Sequence, residues 1–246
     1  MRLEDVHCVI LAGGLGTRLR GVLVDRPKPM AEVAGLPFVE WVVRWLAAAG
    51  VRSATLSTGH LGEVIERHFA KGTTAGVAVD CMREGRAMGT AGGFLNAAHG
   101  SGRSPSAWLV LNGDSLIFAD LEALADRFEA SGAEATLVAR RVDDPGRYGA
   151  LDVGADGLLR RFSEKGPGTD GPGLINAGVY LIAASLLDRF PRREPLSFEA
   201  DVFPGWLREG VRVTALESDA PFLDIGTEES LAQADRFIQT NRERFR

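Results

Sequence analysis

Cysteine is scarce in this chain of 246 residues: only Cys8 and Cys81 occur, and both lie in apolar, strand-like stretches. Two isolated thiols exclude a disulfide framework, and the four histidines are too scattered to complete a zinc-like cluster, so reduced, buried thiols are expected. A surplus of positive charge is also missing. Lys and Arg number 28 against 33 Asp and Glu, a net charge of -5, which argues against the broad basic surface of a nucleic-acid binder. A small anionic ligand is not excluded, because it needs only a few cations locally. No apolar run approaches the roughly 20 residues of a membrane-spanning helix. Met1 to Asp5 carries no apolar leader, so a cytoplasmic protein is the expectation. Internal repeats and clear linkers are lacking too, and one domain over residues 1–246 is expected.

What is present is hydrophobic patterning, with 45% of residues apolar. Val6 to Ala12 is a short run of branched residues ending in glycines, the profile of a buried parallel strand. Pro37 then opens a helix in which Phe38, Trp41, Val42, Trp45, Leu46 and Ala49 recur at three- and four-residue spacing until Gly50. Further strands are predicted at Ser53 to Thr58, Val77 to Met82 and Trp108 to Asn112, alternating with helices over Glu63 to Ala70 and Ala91 to Ala98. This rhythm predicts an α/β fold, a Rossmann-like doubly wound sheet, mostly parallel and covered by helices on both faces. After Asp120 the rhythm changes. A helix over Leu121 to Ser131 precedes strands at Ala135 to Arg140, Tyr148 to Val153, Leu158 to Phe162 and Leu174 to Ile182, so a mixed, more antiparallel half is expected. Gly154 to Gly157 reads as a hairpin turn, and Gly166 to Gly173, with four glycines and two prolines, as a loop. Helices over Phe198 to Glu209 and Glu228 to Arg244 flank a last long strand at Val211 to Glu217. Phe198 to Trp206 and the Trp41/Trp45 helix offer apolar faces for self-association.

Chemistry begins at the end of the first strand. In Leu11-Ala12-Gly13-Gly14-Leu15-Gly16-Thr17 the glycines let main-chain N–H groups approach phosphate oxygens. The third glycine of the dinucleotide fingerprint is missing, and no P-loop lysine follows. Arg18 follows instead, and then Lys28 between Pro27 and Pro29, which fix the backbone around its side chain. Preorganised cations of this kind stabilise charge that builds on a phosphorus under in-line attack. Asn112-Gly113-Asp114 ends a buried strand, where open sheets bind ligands, and Asp224 follows another short apolar strand. Two converging carboxylates are a usual means of holding Mg²⁺ against nucleotide phosphates. Glu84 and the segment Gly89-Thr90-Ala91-Gly92 open a helix, where a planar base has access to the backbone.

This set, LAGGLGTR followed by PKPM, resembles the signature of the sugar-phosphate nucleotidyltransferases, with a glycosyltransferase-A-like fold implied. The replacement of that family's Arg-Pro-Leu-Thr by Arg20-Gly21-Val22 is similar to the branch acting on heptose 1-phosphate. The resemblance implies that Arg18 and Lys28 act on the triphosphate. It further implies a nucleotide site of Leu11, Ala12, Gly13, Gly14, Gly16, Thr17, Glu84, Gly89, Thr90, Asn112 and Gly113, and Mg²⁺ ligands at Asp114 and Asp224. The Gly-Thr-Ala-Gly form looks like the guanylyl-transferring branches and points to GTP. Tyr148, Gly149, Glu164, Lys165 and Asn176 match the sugar-phosphate site of that family, with Gly166 standing before Pro167 where the family has proline. Residues 1–120 would then mainly bind nucleotide and residues 121–246 mainly the sugar phosphate. The implied reaction is nucleotidyl transfer from an NTP to a sugar 1-phosphate, with D-glycero-D-manno-heptose 1-phosphate favoured. Mannose 1-phosphate and an N-acetylmuramate-type 1-phosphate with UTP are the alternatives. A non-catalytic regulatory subunit would have lost catalytic cations or metal carboxylates, which this chain keeps.

Overall fold

The branched run ahead of the glycines forms β1 (His7–Ala12), an interior strand of a ten-stranded sheet. A computed structural model of the chain describes residues 1–16, 19, 21–163 and 171–246, and of Arg147 only the backbone. A small antiparallel pair, β2 (Glu32–Val33) and β3 (Leu36–Pro37), leads into α1 (Phe38–Ala48), whose apolar stripe is buried. The chain continues through β4 (Ser53–Thr58), α2 (Gly62–His68), β5 (Thr73–Thr74), β6 (Val77–Arg83), α3 (Gly89–Gly100) and β7 (Ala107–Asn112). Strands β7, β1, β4 and β6 lie side by side in that order and all run parallel. After β1 the chain places β4 and β6 on one side, then crosses back to place β7 on the other. That reversal opens a crevice at the carboxyl ends of β1 and β7, the usual ligand position in an open α/β sheet.

The second half follows as β8 (Ser115–Ile117), α4 (Leu121–Ser131), β9 (Ala135–Val142), β10 (Ala150–Val153), β11 (Leu159–Ser163) and β12 (Gly173–Ala183). It ends with α5 (Phe203–Arg208), β13 (Val213–Glu217), β14 (Phe222–Asp224), α6 (Glu228–Ala232) and α7 (Ala234–Thr240). The long β12 runs antiparallel to β7, β9 and β10, and β10 with β11 forms the expected hairpin. Off the main sheet, β14 pairs antiparallel with β8.

Alternation along the central strands divides the core between two faces. Cys8 and Ile10 of β1 and Leu109 and Leu111 of β7 join one hydrophobic cluster, with α1 and the C-terminal helices. Val9, Trp108 and Val110 join the other, with α3 and α5. The two aromatic stripes expected to serve self-association belong to these cores instead. Trp41 and Trp45 are 7% and 5% exposed, and Phe198, Phe203 and Trp206 at most 1%. Their rings stack on neighbouring aromatics, as Phe203 does on Phe162 and Phe190 does edge-on to Trp206. An apolar helical stripe has the same spacing whether it faces the core or a partner, and here it faces the core.

Several boundaries differ from expectation. The strand predicted from Tyr148 begins at Ala150, because Pro145–Arg147 forms a 3-10 turn capped by Asp144. The final helix predicted over 228–244 is broken into α6, α7 and a last turn at Arg242–Phe245, although Thr227 opens it through a capping box with Ser230. The loop predicted at Gly166 to Gly173 lies mostly outside the described residues. Both cysteines are free. Cys8 is buried and Cys81 half-buried, and burial pushes the Cys81 thiol up to about 11.

His7 is buried, with Nδ1 2.8 Å from Ser53 Oγ and Nε2 2.8 Å from Thr55 Oγ1. Burial, aided by the positive charge of Arg103, lowers its pKa to about 4 from the ordinary 6.5. The unfolded chain therefore binds this proton more readily than the fold does. The neutral ring's contribution is complete above pH 6.5 and is lost as pH falls towards 4, on the order of 3 kcal/mol in all. Urea midpoints measured from pH 7.5 to pH 4 should fall more steeply in the wild type than in His7→Asn. Equal slopes would rule out His7 as the source.

Candidate active site

Three segments meet at one ammonium group. Lys28 opens a single 3-10 turn (Lys28–Met30) with proline on either side. Its Nζ donates to Asp114 Oδ2 at 2.8 Å and to Asp224 Oδ1 at 3.4 Å, with its side chain only 10% exposed. Asp114 follows Gly113, whose N–H donates to Leu11 O at 2.9 Å, so the end of β7 is tied to β1. Asp224 ends β14 opposite Ser115 of β8, and Ile225 N donates to Asp114 O at 3.0 Å. The strand pair β8–β14 is thus what brings two carboxylates, 110 positions apart in the chain, to one lysine.

Two cavities adjoin at this point. The first, about 490 Å³, is lined by Leu11 to Gly16, Lys28, Glu84, Gly89 and parts of α3. The second, about 410 Å³, is lined by Ser115, Tyr148, Gly149, Asn176, Glu199 and Asp224, among others. Thr90, Asn112 and Asp114 line both. Asn112 Oδ1 is buried without a hydrogen-bond partner among the described residues, an acceptor left open on the common wall.

Glu84 lies close behind the glycine loop. Its carboxylate accepts from Ser57 Oγ at 3.1 Å and from Met88 N at 3.1 Å. A Cβ on Gly13 would come within 2.3 Å of Glu84 Oε1, so a larger residue there would displace this carboxylate. Burial raises the Glu84 pKa, and the Met88 and Ser57 hydrogen bonds partly oppose it. Gly89 has a similar explanation. Its φ is +78°, and a Cβ would lie 2.4 Å from Leu196 O. Close packing of α3 on the 196 backbone accounts for this glycine without a base. Thr90 is not the cap of α3. Its hydroxyl donates to Glu199 Oε2 at 2.9 Å and accepts from Phe198 N at 2.9 Å.

Of the residues expected on the sugar side, Tyr148, Gly149 and Asn176 come together in the second cavity. Tyr148 lies edge-on to Phe222, the residue two before Asp224. Part of the donor and acceptor capacity of Asn176 is engaged within the protein. Nδ2 donates to Tyr180 Oη at 2.6 Å, and Oδ1 accepts from Gly178 N at 3.0 Å. Glu199 was not anticipated. It sits in a π-helical turn (Phe198–Val202), and nothing in its local sequence separates it from a solvated helical glutamate. Thr17, Arg18, Glu164 and Lys165 lie outside the described residues.

Asp114 and Asp224 present hard oxygen donors to one positive centre, which fits a divalent cation of the Mg²⁺ type. Among the described residues no third His, Cys, Asp or Glu joins them. The remaining ligands would then be substrate oxygens or water, the common arrangement for Mg²⁺ on nucleotides.

Adding a methyl at Gly89 combines a left-handed backbone with a collision against main chain that has no rotamer to escape to. Gly89→Ala should cost about 2–3 kcal/mol in urea denaturation. A loss under about 0.5 kcal/mol, the scale of an ordinary surface change, would show that α3 and the 196 segment move apart readily.

The sequence pattern of the family described as nucleotidyl transferase matches residues 7–241. The chain is 36% identical over 236 residues to a mannose-1-phosphate guanylyltransferase of Mycobacterium tuberculosis, covering 95% of this chain but 64% of that protein's length. It is 30% identical over 234 residues to the D-glycero-alpha-D-manno-heptose 1-phosphate guanylyltransferase of Aneurinibacillus thermoaerophilus, covering 95% of this chain and 99% of that one. Among solved structures, HddC from Yersinia pseudotuberculosis superposes with a TM-score of 0.81 at 31% identity, covering 94% of this chain and 98% of HddC. HddC complexed with GMP-PN gives the same TM-score at 32% identity. With sequence pattern, full-length relative and superposed fold in agreement, the chain belongs to the nucleotidyl transferase family.

Proposed function

We propose that this protein transfers a guanylyl group from GTP to a manno-configured sugar 1-phosphate, releasing pyrophosphate. The observation that carries the reading is the pair of cavities sharing Thr90, Asn112 and Asp114, with Lys28 and two carboxylates at the junction. Group transfer between two bound molecules needs such adjoining sites and a charged junction where the reacting phosphates meet. The glycine-lined cavity takes the nucleotide, and the polar cavity takes the sugar phosphate. The first draws on residues 11–114 plus Gly226, and the second on both halves of the chain.

In the reaction, an oxygen of the sugar 1-phosphate attacks the α-phosphorus of GTP. A new P–O bond forms as the α–β bridging P–O bond breaks, and pyrophosphate leaves with that electron pair. The attacking phosphate is already ionised near neutral pH, so no general base is required. Catalysis then rests on positioning and charge neutralisation. Lys28, placed by its flanking prolines beside Asp114 and Asp224, exchanges these carboxylates for the triphosphate. Arg18 acts on the same phosphates from the glycine loop, and Lys165 with Glu164 holds the sugar phosphate. Mg²⁺ bound by Asp114 and Asp224 would neutralise phosphate oxygens and assist pyrophosphate departure.

The guanine preference is supported by the guanylyltransferase names of both relatives and by the GMP-PN complex of HddC. The two named sugars share the manno configuration, the heptose being mannose lengthened by one carbon. Heptose 1-phosphate is the first choice, because that relative matches over nearly its whole length. Mannose 1-phosphate is the second reading, favoured by the higher identity of the other relative.

Pyrophosphate release measured for each NTP against both sugar phosphates should give the highest kcat/KM for GTP with heptose 1-phosphate. A dominant signal from UTP, or none with either sugar, would overturn the assignment. Arg18→Ala should lower kcat about 10²- to 10³-fold, the effect of losing one preorganised charge-stabilising group. Lys165→Met should mainly raise KM for the sugar phosphate. Unchanged turnover in Arg18→Ala would remove that residue from the triphosphate site.

A further inference from the structure

Among the described residues that line the second cavity, Glu199 is the one carboxylate that does not face Lys28. It lies on the turn after Leu196, a segment stitched to the start of α3. Leu196 O accepts from Ala91 N and Gly92 N, and Leu196 N donates to Met88 O. Among the described residues its carboxylate is held by hydroxyls alone. Oε2 accepts from Ser197 Oγ at 2.7 Å and from Thr90 Oγ1 at 2.9 Å, while Oε1 has only the long 3.4 Å donation from Tyr180 Oη. Among the described residues no cation pairs with it.

We infer that Glu199 reads the hydroxyl pattern of the sugar, through Oε1, and so helps to determine which sugar 1-phosphate is accepted; this rests on the transfer reading above. A carboxylate offers about four lone-pair sites, and three neutral donors leave acceptor capacity on the oxygen that is least engaged. The buried Asn112 Oδ1 on the same cavity's wall is a second acceptor without a partner. A cavity with two open acceptors favours a ligand rich in donors, and sugar hydroxyls are such donors. The negative charge also repels phosphate, so the sugar's phosphate is turned towards the junction of the two cavities and the hydroxyl-bearing ring towards Glu199. Asn176 is tied into the same device. It donates to Tyr180 Oη, whose own proton goes to Glu199, so the carboxylate orients a second polar group of the wall. Thr90 places this wall one hydrogen bond from the nucleotide cavity.

The test is a cycle between protein and ligand. Wild type and Glu199→Gln are assayed by pyrophosphate release with GTP and mannose 1-phosphate or heptose 1-phosphate, whichever turns over. The 2-, 3-, 4- and 6-deoxy analogues of mannose 1-phosphate are run alongside. For one hydroxyl, deletion should lower wild-type kcat/KM about 10- to 100-fold, the range of a hydrogen bond to a charged group. In Glu199→Gln that same deletion should cost less than about threefold, a non-additivity that a purely structural residue does not produce. KM for GTP should stay within about twofold of wild type. Glu199→Asp, which withdraws the charge by one methylene, gives the same comparison should the glutamine variant not fold. Equal losses for every analogue, or a parallel rise in KM for GTP, would make Glu199 only a brace for Thr90 and Ser197. Wild-type inactivity with every pair would instead overturn the transfer reading, and this assignment with it.

Discussion

The contact of Lys28 with Asp114 and Asp224 is the interaction on which the rest of the site depends. It joins the loop after β1, the end of β7 and the end of β14, which share no local sequence. Two carboxylates set side by side repel each other unless a cation lies between them. In the free protein the ammonium of Lys28 supplies that charge from within the fold. In the proposed reaction the nucleotide phosphates would compete with the carboxylates for the lysine, and a divalent cation would take up the carboxylates. The same three groups therefore hold this junction together and, in the proposed reaction, would provide its charge balance. A lysine is suited to this because its ammonium is a compact point charge on a flexible stem.

The sheet supplies the geometry. Reversal of strand order beside β1 leaves the carboxyl ends of β1 and β7 facing one crevice. The register of β1 against β7 sets Leu11 opposite Asn112, and the glycines after each strand let the two loops lie close. The small β8–β14 pair, outside the main sheet, delivers Asp224. Behind the site, Glu84 ties β4 through Ser57 to Met88 ahead of α3, and the 196–199 segment braces the start of α3.

Much of this was legible in the residues. The strands at 53–58 and the helix at 121–131 were read with the bounds the structure has, because branched runs and three- and four-residue apolar spacing reflect local burial. Lys28, Asp114 and Asp224 were legible as a constellation, since charged groups at strand ends and beside prolines are conspicuous. The broken C-terminal helix and the late start of β10 were not legible, because turns and caps compete with helix and strand on margins of a few tenths of a kcal/mol to about 1 kcal/mol. Glu199 was illegible for another reason. It differs from a surface glutamate only through Thr90 and Tyr180, residues distant in the chain.

By itself the sequence determined the alternating architecture, the glycine loop, and the chemical types that gather around phosphate. Those properties are written in neighbouring residues, where periodicity and backbone freedom act locally. Only the tertiary structure decided which way the aromatic stripes face. It also decided that Gly89 serves close packing on Leu196, and that Lys28 lies between the two aspartates. Each of these depends on groups brought together by strand order and packing, and neither periodicity nor spacing carries that information.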